Sequence, residues 1–235
     1  MAAGEGKETH GDAHSRLRAP TPGAFVRLPR FAPGQSIGLL GGSFNPPHAG
    51  HRLISELALR RLRLDRLWWL ATPGNPMKSQ YGLEEMRHRI AAARLLTHDP
   101  RIAVTGFEAE IGSRYTYDAI AWLRLRAPNV RFVWIMGADN LNQLHLWRNW
   151  REIANLAPIL VIDRPGWTLR ALASRAAIAL APYRRPESDA PHFASLKPPA
   201  LLFLHGPRSG LSSTALRQAA HSRTLDPSAK DDRLS

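Results

Sequence analysis

Short apolar runs that alternate with helical patterns are the feature of this 235-residue chain that most constrains its fold. Ile37–Leu40 and Leu67–Ala71 are predicted strands, and between them apolar residues recur at helical spacing from Leu53 to Leu62. The same alternation predicts further helices over Glu84–Leu96, Thr116–Arg126 and Leu169–Ala177, a last helix from Ser212 or Ser213, and strands over Ile102–Val104, Arg131–Met136, Leu156–Ile162 and Leu201–Leu204. This order is typical of α/β proteins. We therefore expect a single domain with a Rossmann-like, doubly wound parallel sheet and helices on both faces.

Composition sets the expected limits of that domain. Residues 1–35 are rich in Gly, Ala, Pro and charged side chains and predict a mobile leader. Residues 36–221 are expected to form the folded domain, and the polar residues 222–235 a flexible tail. The proline-rich stretch 182–199 is expected to be a loop.

Residue usage excludes several classes of function. The chain has no cysteine, which excludes disulfide scaffolds, thiolate nucleophiles and Cys-ligated metals. Charged side chains interrupt every apolar stretch before it reaches the length of a membrane helix, and residues 1–18 lack the apolar core of a secretory signal. We therefore expect a cytoplasmic protein without a membrane partner.

The net charge of +13 indicates a polyanionic partner. Nucleic acid and phosphorylated small molecules both fit that sign, and charge alone does not separate them. Of the 32 basic residues, 28 are Arg, a bias that genomic base composition can also produce.

The segment GGSFNPPHAGH, Gly41–His51, lies between the first strand and the first helix. Gly41 and Gly42 lack side chains where the chain leaves the sheet, so a phosphate can approach the backbone N–H groups. His48 and His51 are three residues apart at the start of the helix, where the N–H groups and the helix dipole favour an anion. Imidazoles in that position can donate hydrogen bonds to phosphate and, when protonated, add positive charge.

Two other interpretations of the histidine pair remain. One histidine can cap the helix while the other is buried, and a metal site is possible although Cys is absent and no third ligand is nearby. The segment is neither a Walker loop nor the dinucleotide fingerprint. Its position after a strand and a Gly-Gly turn favours phosphate binding.

The His-x-Gly-His at His48–His51 resembles the signature of a nucleotidyltransferase superfamily, and in particular the bacterial nicotinate-nucleotide adenylyltransferases. Further matching stretches follow in the family's order and extend over most of residues 36–221. They are TPGNPMK at Thr72–Lys78, RYTYDA at Arg114–Ala119, GADNLNQLHLWRNW at Gly137–Trp150 and LSSTALR at Leu211–Arg217.

The resemblance implies transfer of AMP from ATP to nicotinate mononucleotide, giving nicotinate adenine dinucleotide and pyrophosphate in NAD biosynthesis. No covalent intermediate is implied. Mg²⁺ would be carried by the ATP triphosphate and not by protein side chains, and the protein would be a monomer or homodimer that binds no nucleic acid. Nicotinamide mononucleotide and phosphopantetheine are alternative acceptors. A basic nucleic-acid-binding domain would explain the charge but not the Gly-Gly turn and the histidine pair.

Carried over residue by residue, the resemblance implies catalytic roles for His48, His51 and Arg217, with the two histidines on the α- and β-phosphates of ATP. The implied ATP site comprises Gly41, Gly42, Ser43, Phe44, His48, His51, Gly137, Asp139, Ser212, Ser213, Thr214 and Arg217. The expected contacts of the acceptor are Asn45, Lys78, Thr116, Trp147 and Arg164, with Trp147 stacked on the nicotinate ring and the Thr116 backbone near its carboxylate.

Several of these residues also have purely structural interpretations. Trp147 can be a core residue, Lys78 a solvated side chain, Asp139 the N-cap of a helix, and LSSTALR an ordinary cap followed by a surface Arg. Two positions depart from the family pattern, because Asn45 stands where many members have Asp and Ala119 where Thr is common.

Overall fold

Strands and helices alternate along the part of the chain described by the structure, a computed structural model that covers residues 26–74, 84–163 and 167–205. The strands are β1 Ser36–Gly42, β2 Arg66–Ala71, β3 Ile102–Thr105, β4 Arg131–Gly137, β5 Ile159–Ile162, β6 Arg184–Arg185 and β7 Leu201–Leu204. The α-helices are α1 Ala49–Arg61, α2 Met86–Leu96, α3 Phe107–Glu110, α4 Thr116–Arg126, α5 Ala138–Gln143, α6 Trp150–Leu156, α7 Thr168–Leu172 and α8 Arg175–Ala179. Short 3-10 helices lie at Leu144–Leu146, Ala181–Tyr183 and Glu187–Ser195.

The strands form one parallel sheet in the order β3-β2-β1-β4-β5-β7-β6. The predicted α/β class with a parallel sheet is confirmed. From β1 the chain builds outward through β2 and β3, and then returns to place β4 on the other side of β1. The strand order therefore reverses between β1 and β4, and the carboxyl ends of these two strands form the crevice where such sheets bind ligands.

Both faces of the sheet are buried. Along β2, Trp68 and Leu70 pack into one apolar cluster, while Leu67, Trp69 and Ala71 pack into the other on the opposite face. Successive side chains of a strand point to opposite faces, so a strand buried on both sides is apolar throughout. This accounts for the continuous apolar runs in the sequence.

Residues 182–199 differ from the expected loop. They contain β6 and the 3-10 helix Glu187–Ser195, whose Phe193 is fully buried beneath the sheet. Proline lacks the N–H that an α-helix needs but is tolerated in short turns and at sheet edges. The prolines therefore indicated the absence of an α-helix, and the expectation of a loop was wrong.

Two other boundaries differ from the sequence prediction. The helix expected over Leu169–Ala177 is divided into α7 and α8 at Ser174, whose hydroxyl accepts a hydrogen bond from the Ala177 N–H (3.2 Å) and caps α8. β5 begins at Ile159 instead of Leu156, because Leu156 ends α6.

The end of the predicted leader contacts the sheet. The Thr105 hydroxyl donates to the Arg27 carbonyl (2.9 Å), the Phe31 ring lies 6.0 Å from the Trp68 ring, and the Gly34 N–H donates to the Asn129 carbonyl (2.7 Å). The predicted boundary at residue 36 thus falls after several tertiary contacts. The last predicted helix and the predicted tail lie outside the described residues, within which no helix is long and apolar enough to cross a membrane.

Candidate active site

The turn after β1 is shaped by close packing against β4. A Cβ on Gly41 would lie 2.6 Å from the Trp134 ring, and one on Gly42 would lie 3.2 Å from the Phe44 ring. Neither position has room for a side chain without movement of a buried aromatic ring. The two glycines are therefore required by packing, and both also line the cavity described below, where a ligand can approach their backbone.

Phe44 fixes the path of this loop. Its backbone has φ +47°, the left-handed region that a bulky side chain rarely adopts. The strain is balanced by burial, since the Phe44 ring is fully buried and stacks on Trp69 with centroids 4.9 Å apart and planes 3° apart. Phe44 was predicted to contact ATP. Because its ring belongs to the core, the backbone is the part of Phe44 that can face a ligand.

His48 and His51 cap helix α1 reciprocally. His48 is the N-cap, and its Nδ1 accepts a hydrogen bond from the Gly50 N–H (3.1 Å). In return the His48 N–H donates to Nδ1 of His51 (3.2 Å), and the two ring centroids are 3.9 Å apart. With Nδ1 as acceptor, each neutral ring carries its proton on Nε2. Capping and phosphate binding are therefore compatible, because the cap fixes both tautomers as Nε2–H donors.

A cavity of about 330 Å³ lies at the carboxyl ends of β1, β2 and β4. Five residues predicted from the sequence line it, namely Gly41, Gly42 and Ser43 from the proposed ATP site and Thr116 and Trp147 from the proposed acceptor site. The other lining residues are Thr72, Glu108, Arg114, Tyr115, Trp134, Asn140, Leu146 and Arg148. The structure thus brings two groups of predicted residues, far apart in sequence, to one space.

Residues of α4 and of the segment after α5 suit the cavity to a planar anion. Thr116 is the first residue of α4, so the N–H groups and positive dipole end of this 11-residue helix lie at the cavity wall. Trp147 stands edge-on to Trp134, with centroids 6.4 Å apart and planes at 80°. The Arg148 guanidinium lies 4.8 Å from the centre of the Tyr115 ring.

One acidic side chain, Glu108 of α3, lines the same cavity. Burial raises the pKa of the Glu108 carboxyl from its ordinary 4.5 to about 7, and a hydrogen bond with the Thr72 side chain acts in the opposite direction. A carboxyl that is protonated near neutral pH can donate a hydrogen bond and does not repel an anionic ligand.

Several residues of this site were not predicted from the sequence. Thr72, Arg114 and Arg148 lie within the stretches that carry the family resemblance, which is therefore a signal for them. Arg89 of α2 has no such signal, as it is one of 28 arginines in the chain and stands in an ordinary helical pattern. It is nevertheless buried, at 1% exposure, and donates to the carbonyl oxygen of Ser43 in the loop after β1.

The remaining predicted residues divide into two groups. Gly137 ends β4 and is the N-cap of α5, so Asp139 lies in the first turn of that helix and is not its cap, while Asn45 is buried in the loop before α1. Six residues lie outside the described part of the chain: Lys78, Arg164, Ser212, Ser213, Thr214 and Arg217. In residues 26–74, 84–163 and 167–205, no group of three His, Asp or Glu side chains could hold a metal ion.

Comparison with known proteins identifies relatives over most of the chain. A family model described as cytidylyltransferase-like matches residues 39–219. A protein of Methylorubrum extorquens, named "Probable nicotinate-nucleotide adenylyltransferase", is 62% identical over 181 residues, which are 77% of this chain and 98% of that protein. A protein of the same name from Agrobacterium fabrum is 57% identical over 77% of this chain and 97% of its own length.

Solved structures share the fold. Two structures of the Plasmodium falciparum nicotinic acid mononucleotide adenylyltransferase, complexed with APC and with NaAD, superpose with TM-scores of 0.57 and 0.58. Each covers 78% of this chain and 83% of the other, at 17% and 18% sequence identity. At that identity the comparison supports the architecture alone.

Proposed function

The chain belongs to the nicotinate-nucleotide adenylyltransferases, within the cytidylyltransferase-like family, and we propose that it transfers AMP from ATP to nicotinate mononucleotide. The products are nicotinate adenine dinucleotide and pyrophosphate, and the reaction is a step of NAD biosynthesis. The observation in the structure that best supports this proposal is the single cavity that joins the Gly41–Ser43 turn to Thr116 and Trp147.

The reaction is an in-line substitution at the α-phosphorus of ATP. A phosphate oxygen of the mononucleotide forms a new bond to that phosphorus, and the bond from phosphorus to the oxygen bridging to the β-phosphate breaks. Pyrophosphate leaves with the electron pair. Both reactants are anions, so the protein must hold them in line and stabilise the charge that develops on the leaving group.

The described residues can meet these requirements. Backbone N–H groups of the turn after β1 are suited to the triphosphate, and the positive dipole end of α1 favours its charge. The Nε2–H groups of His48 and His51 are suited to the α- and β-phosphates. We propose that His51 stabilises the negative charge that develops on the leaving pyrophosphate.

Acceptor recognition is assigned to other residues that line this cavity. We propose that the nicotinate ring stacks on Trp147 and that its carboxylate meets the amino end of α4 at Thr116. Arg114 and Arg148 line the same cavity; Arg148 also pairs with Asp118 of α4 (3.7 Å), and the positive charge that the two arginines leave there favours the acid over the neutral amide. Lys78 and Arg164 stay predicted contacts of the acceptor. Arg217 stays a predicted catalytic residue, and with the Ser212–Thr214 segment it is implied by the resemblance to contact the ATP phosphates.

The family uses ATP as a substrate, and we propose that Mg²⁺ accompanies it. Mg²⁺ prefers oxygen ligands and is commonly held by substrate phosphates with one or two carboxylates. Asp139, in the first turn of α5, is the one acidic residue of the predicted ATP site, so the protein contribution would be small. When bound, the ion would neutralise charge on the triphosphate. We further propose that the protein acts in the cytoplasm, where ATP is supplied, as a monomer or homodimer.

Pyrophosphate release by the full chain with Mg-ATP tests the function. Nicotinate mononucleotide, nicotinamide mononucleotide and phosphopantetheine are compared as acceptors in parallel. We expect kcat/KM for nicotinate mononucleotide to be at least about tenfold higher than for the others, because a charged carboxylate gains more at a helix terminus than an amide does. Equal efficiency with the amide would contradict the assigned specificity, and release with none of the acceptors would contradict the function.

Matched variants of Trp147 locate the acceptor. Trp147→Ala should raise KM for the mononucleotide and leave KM for ATP nearly unchanged, while Trp147→Phe retains a ring and should recover much of the loss. An equal rise in both KM values would instead indicate that Trp147 is a structural core residue.

A further inference from the structure

The guanidinium of Arg89 joins three backbone segments next to the proposed phosphate site. Its Nε donates to the Glu84 carbonyl (2.8 Å), and its Nη1 donates to the Thr72 carbonyl (3.0 Å) and to the Ser43 carbonyl. Ser43 belongs to the loop after β1, and Thr72 follows the end of β2. One side chain of α2 therefore ties together the ends of two neighbouring strands where the cavity lies.

Burial of this charge has an energetic cost. Arg89 is 1% exposed, and its acceptors among the described residues are backbone carbonyls. Burial lowers the pKa of the guanidinium, and the nearby Glu84 carboxylate partly opposes that shift. Carbonyl dipoles compensate a buried cation less completely than a carboxylate would. Packing alone therefore does not explain a guanidinium at this position, because an apolar side chain would pack there without the cost of burying a charge.

The bond to Ser43 also fixes the direction of a hydrogen-bond donor. The peptide between Ser43 and Phe44 is trans, so its C=O and N–H point in opposite directions within one plane. With the Ser43 carbonyl held on Arg89, the Phe44 N–H must point away from α2. Since Phe44 has a left-handed backbone, the loop turns sharply at this residue and its N–H groups can converge on an anion.

The hydrogen bond to the Thr72 carbonyl connects this loop to Glu108, which lines the same cavity. The Thr72 N–H donates to the Gly42 carbonyl (3.1 Å), and the Thr72 side chain is hydrogen-bonded to Glu108 in the cavity. A displacement of Arg89 would therefore move the loop after β1 directly. It would affect Glu108 indirectly, through Thr72.

We propose that Arg89 is a positioning residue for the adenylyl transfer, which holds the Ser43–Phe44 peptide so that its N–H faces the ATP phosphates. Its charge adds positive potential behind the same site in a region of low dielectric. Arg89 does not need to touch the substrate for either effect. This inference rests on the proposed function for its kinetic consequences, but not for its effect on phosphate binding.

The test compares variants of two arginines on the same helix. Arg89→Met removes both the charge and the fork of donors, and Arg89→Lys keeps the charge but loses the geometry. Arg94→Met is the matched control, since Arg94 also donates to a backbone carbonyl, that of Val104 (3.3 Å), but not to the loop after β1. For each full-length protein we would measure Tm, kcat and both KM values, and the affinity for inorganic pyrophosphate by calorimetry.

We expect Arg89→Met to lower kcat/KM for ATP by about 30-fold or more, with the KM of the mononucleotide within about threefold of the wild type. Arg89→Lys should lie between the wild type and Arg89→Met, with a loss of about tenfold in kcat/KM for ATP and a Tm between those of Arg94→Met and Arg89→Met. The affinity for pyrophosphate should fall from the wild type to Arg89→Lys and again to Arg89→Met. Arg94→Met should keep wild-type kinetics, because its lost hydrogen bond lies away from the loop.

Two results would overturn the proposal. In the first, Arg89→Lys keeps kcat/KM for ATP within threefold of the wild type, and Arg89→Met does the same if it folds. In the other, Arg94→Met loses as much efficiency at the same Tm, which would make the effect one of general stability. If the wild type transfers AMP to no pyridine mononucleotide, the proposed function fails, and pyrophosphate affinity alone then decides the role of Arg89.

Discussion

At the level of single residues, His51 shows how one side chain can combine a structural and a chemical role. Its Nδ1 accepts the His48 N–H, so removing the ring takes away both a cap and the proposed donor to phosphate. The two losses differ in size, since a helix cap contributes about 1 kcal/mol to stability, whereas a donor to developing charge contributes about 100-fold or more to rate. Kinetics and stability can therefore separate them.

His51→Ala should lower kcat/KM by more than about 100-fold while reducing stability only modestly. His51→Asn keeps an acceptor near the His48 N–H and should restore stability more than activity. Steady-state pyrophosphate release and thermal unfolding measure the two effects, with His98→Ala as a control histidine outside the site. Near-normal turnover in folded His51→Ala would show that the histidine is a cap without a catalytic role.

Glu108 should make stability depend on pH in a way that a glutamine does not. The folded-state pKa is raised to about 7 from 4.5, so the folded protein binds the proton more tightly than the unfolded chain. The free energy of unfolding contributed by Glu108 is therefore greatest below pH 4.5 and falls as pH rises to about 7.

Glu108→Gln should remove this dependence, so that the stability of the variant relative to the wild type rises between about pH 5 and about pH 8. Urea unfolding at both pH values measures the difference. Glu110→Gln is the matched control, because Glu110 is in the same short helix but exposed. A difference between wild type and Glu108→Gln that does not change with pH would mean that Glu108 ionises normally.

At the level of elements, the contact between β1 and β4 decides which residue can occupy the end of β1. The space for a Cβ on Gly41 is taken by the edge of the Trp134 ring, at 2.6 Å. Strand β4 is buried on both faces, so the ring has little freedom to move aside.

Gly41→Ala should destabilise the protein by about 1–3 kcal/mol through overpacking and should also displace the turn that carries the proposed phosphate donors. Trp134→Phe shortens the ring, so the double variant should be more stable than the sum of the two single changes predicts. Urea unfolding of the four proteins gives this coupling. Strict additivity would show that the sheet accommodates the methyl group without contacting Trp134.

Some elements are easier to recognise in the sequence than others. The strands of the central sheet were recognised because burial on both faces leaves a continuous apolar run, as at Leu67–Ala71. Residues 182–199 were not, since prolines indicate where an α-helix is absent and do not reveal that Phe193 packs beneath the sheet. The division between α7 and α8 was missed because Ser174 acts as a cap through a local hydrogen bond that hydrophobic periodicity does not report.

For the whole molecule, the net charge of +13 has a consequence for substrate capture. ATP and the mononucleotide are both anions, and a positive protein attracts them over distances comparable with the Debye length, about 10 Å at 0.1 M salt. We expect kcat/KM for both substrates to fall several-fold between about 50 and about 300 mM NaCl, with kcat nearly constant. Measuring initial rates across that range checks this, and a salt-independent kcat/KM would mean that the charge does not steer the substrates.

The fold class and the family can be inferred from the amino-acid sequence, and so can the proposal of a phosphate-binding loop. They depend on patterns local in the chain, such as apolar periodicity and the Gly41–His51 segment, or on motifs recognisable wherever they fold. Which residues meet is settled by the folded chain alone. Folding brings Thr116 and Trp147 to the same cavity as Gly41, makes a buried acid of Glu108 and directs Arg89 to the loop after β1. Burial, the pKa of a carboxyl and the partner of a guanidinium depend on neighbours that are distant along the chain, so no local pattern reports them.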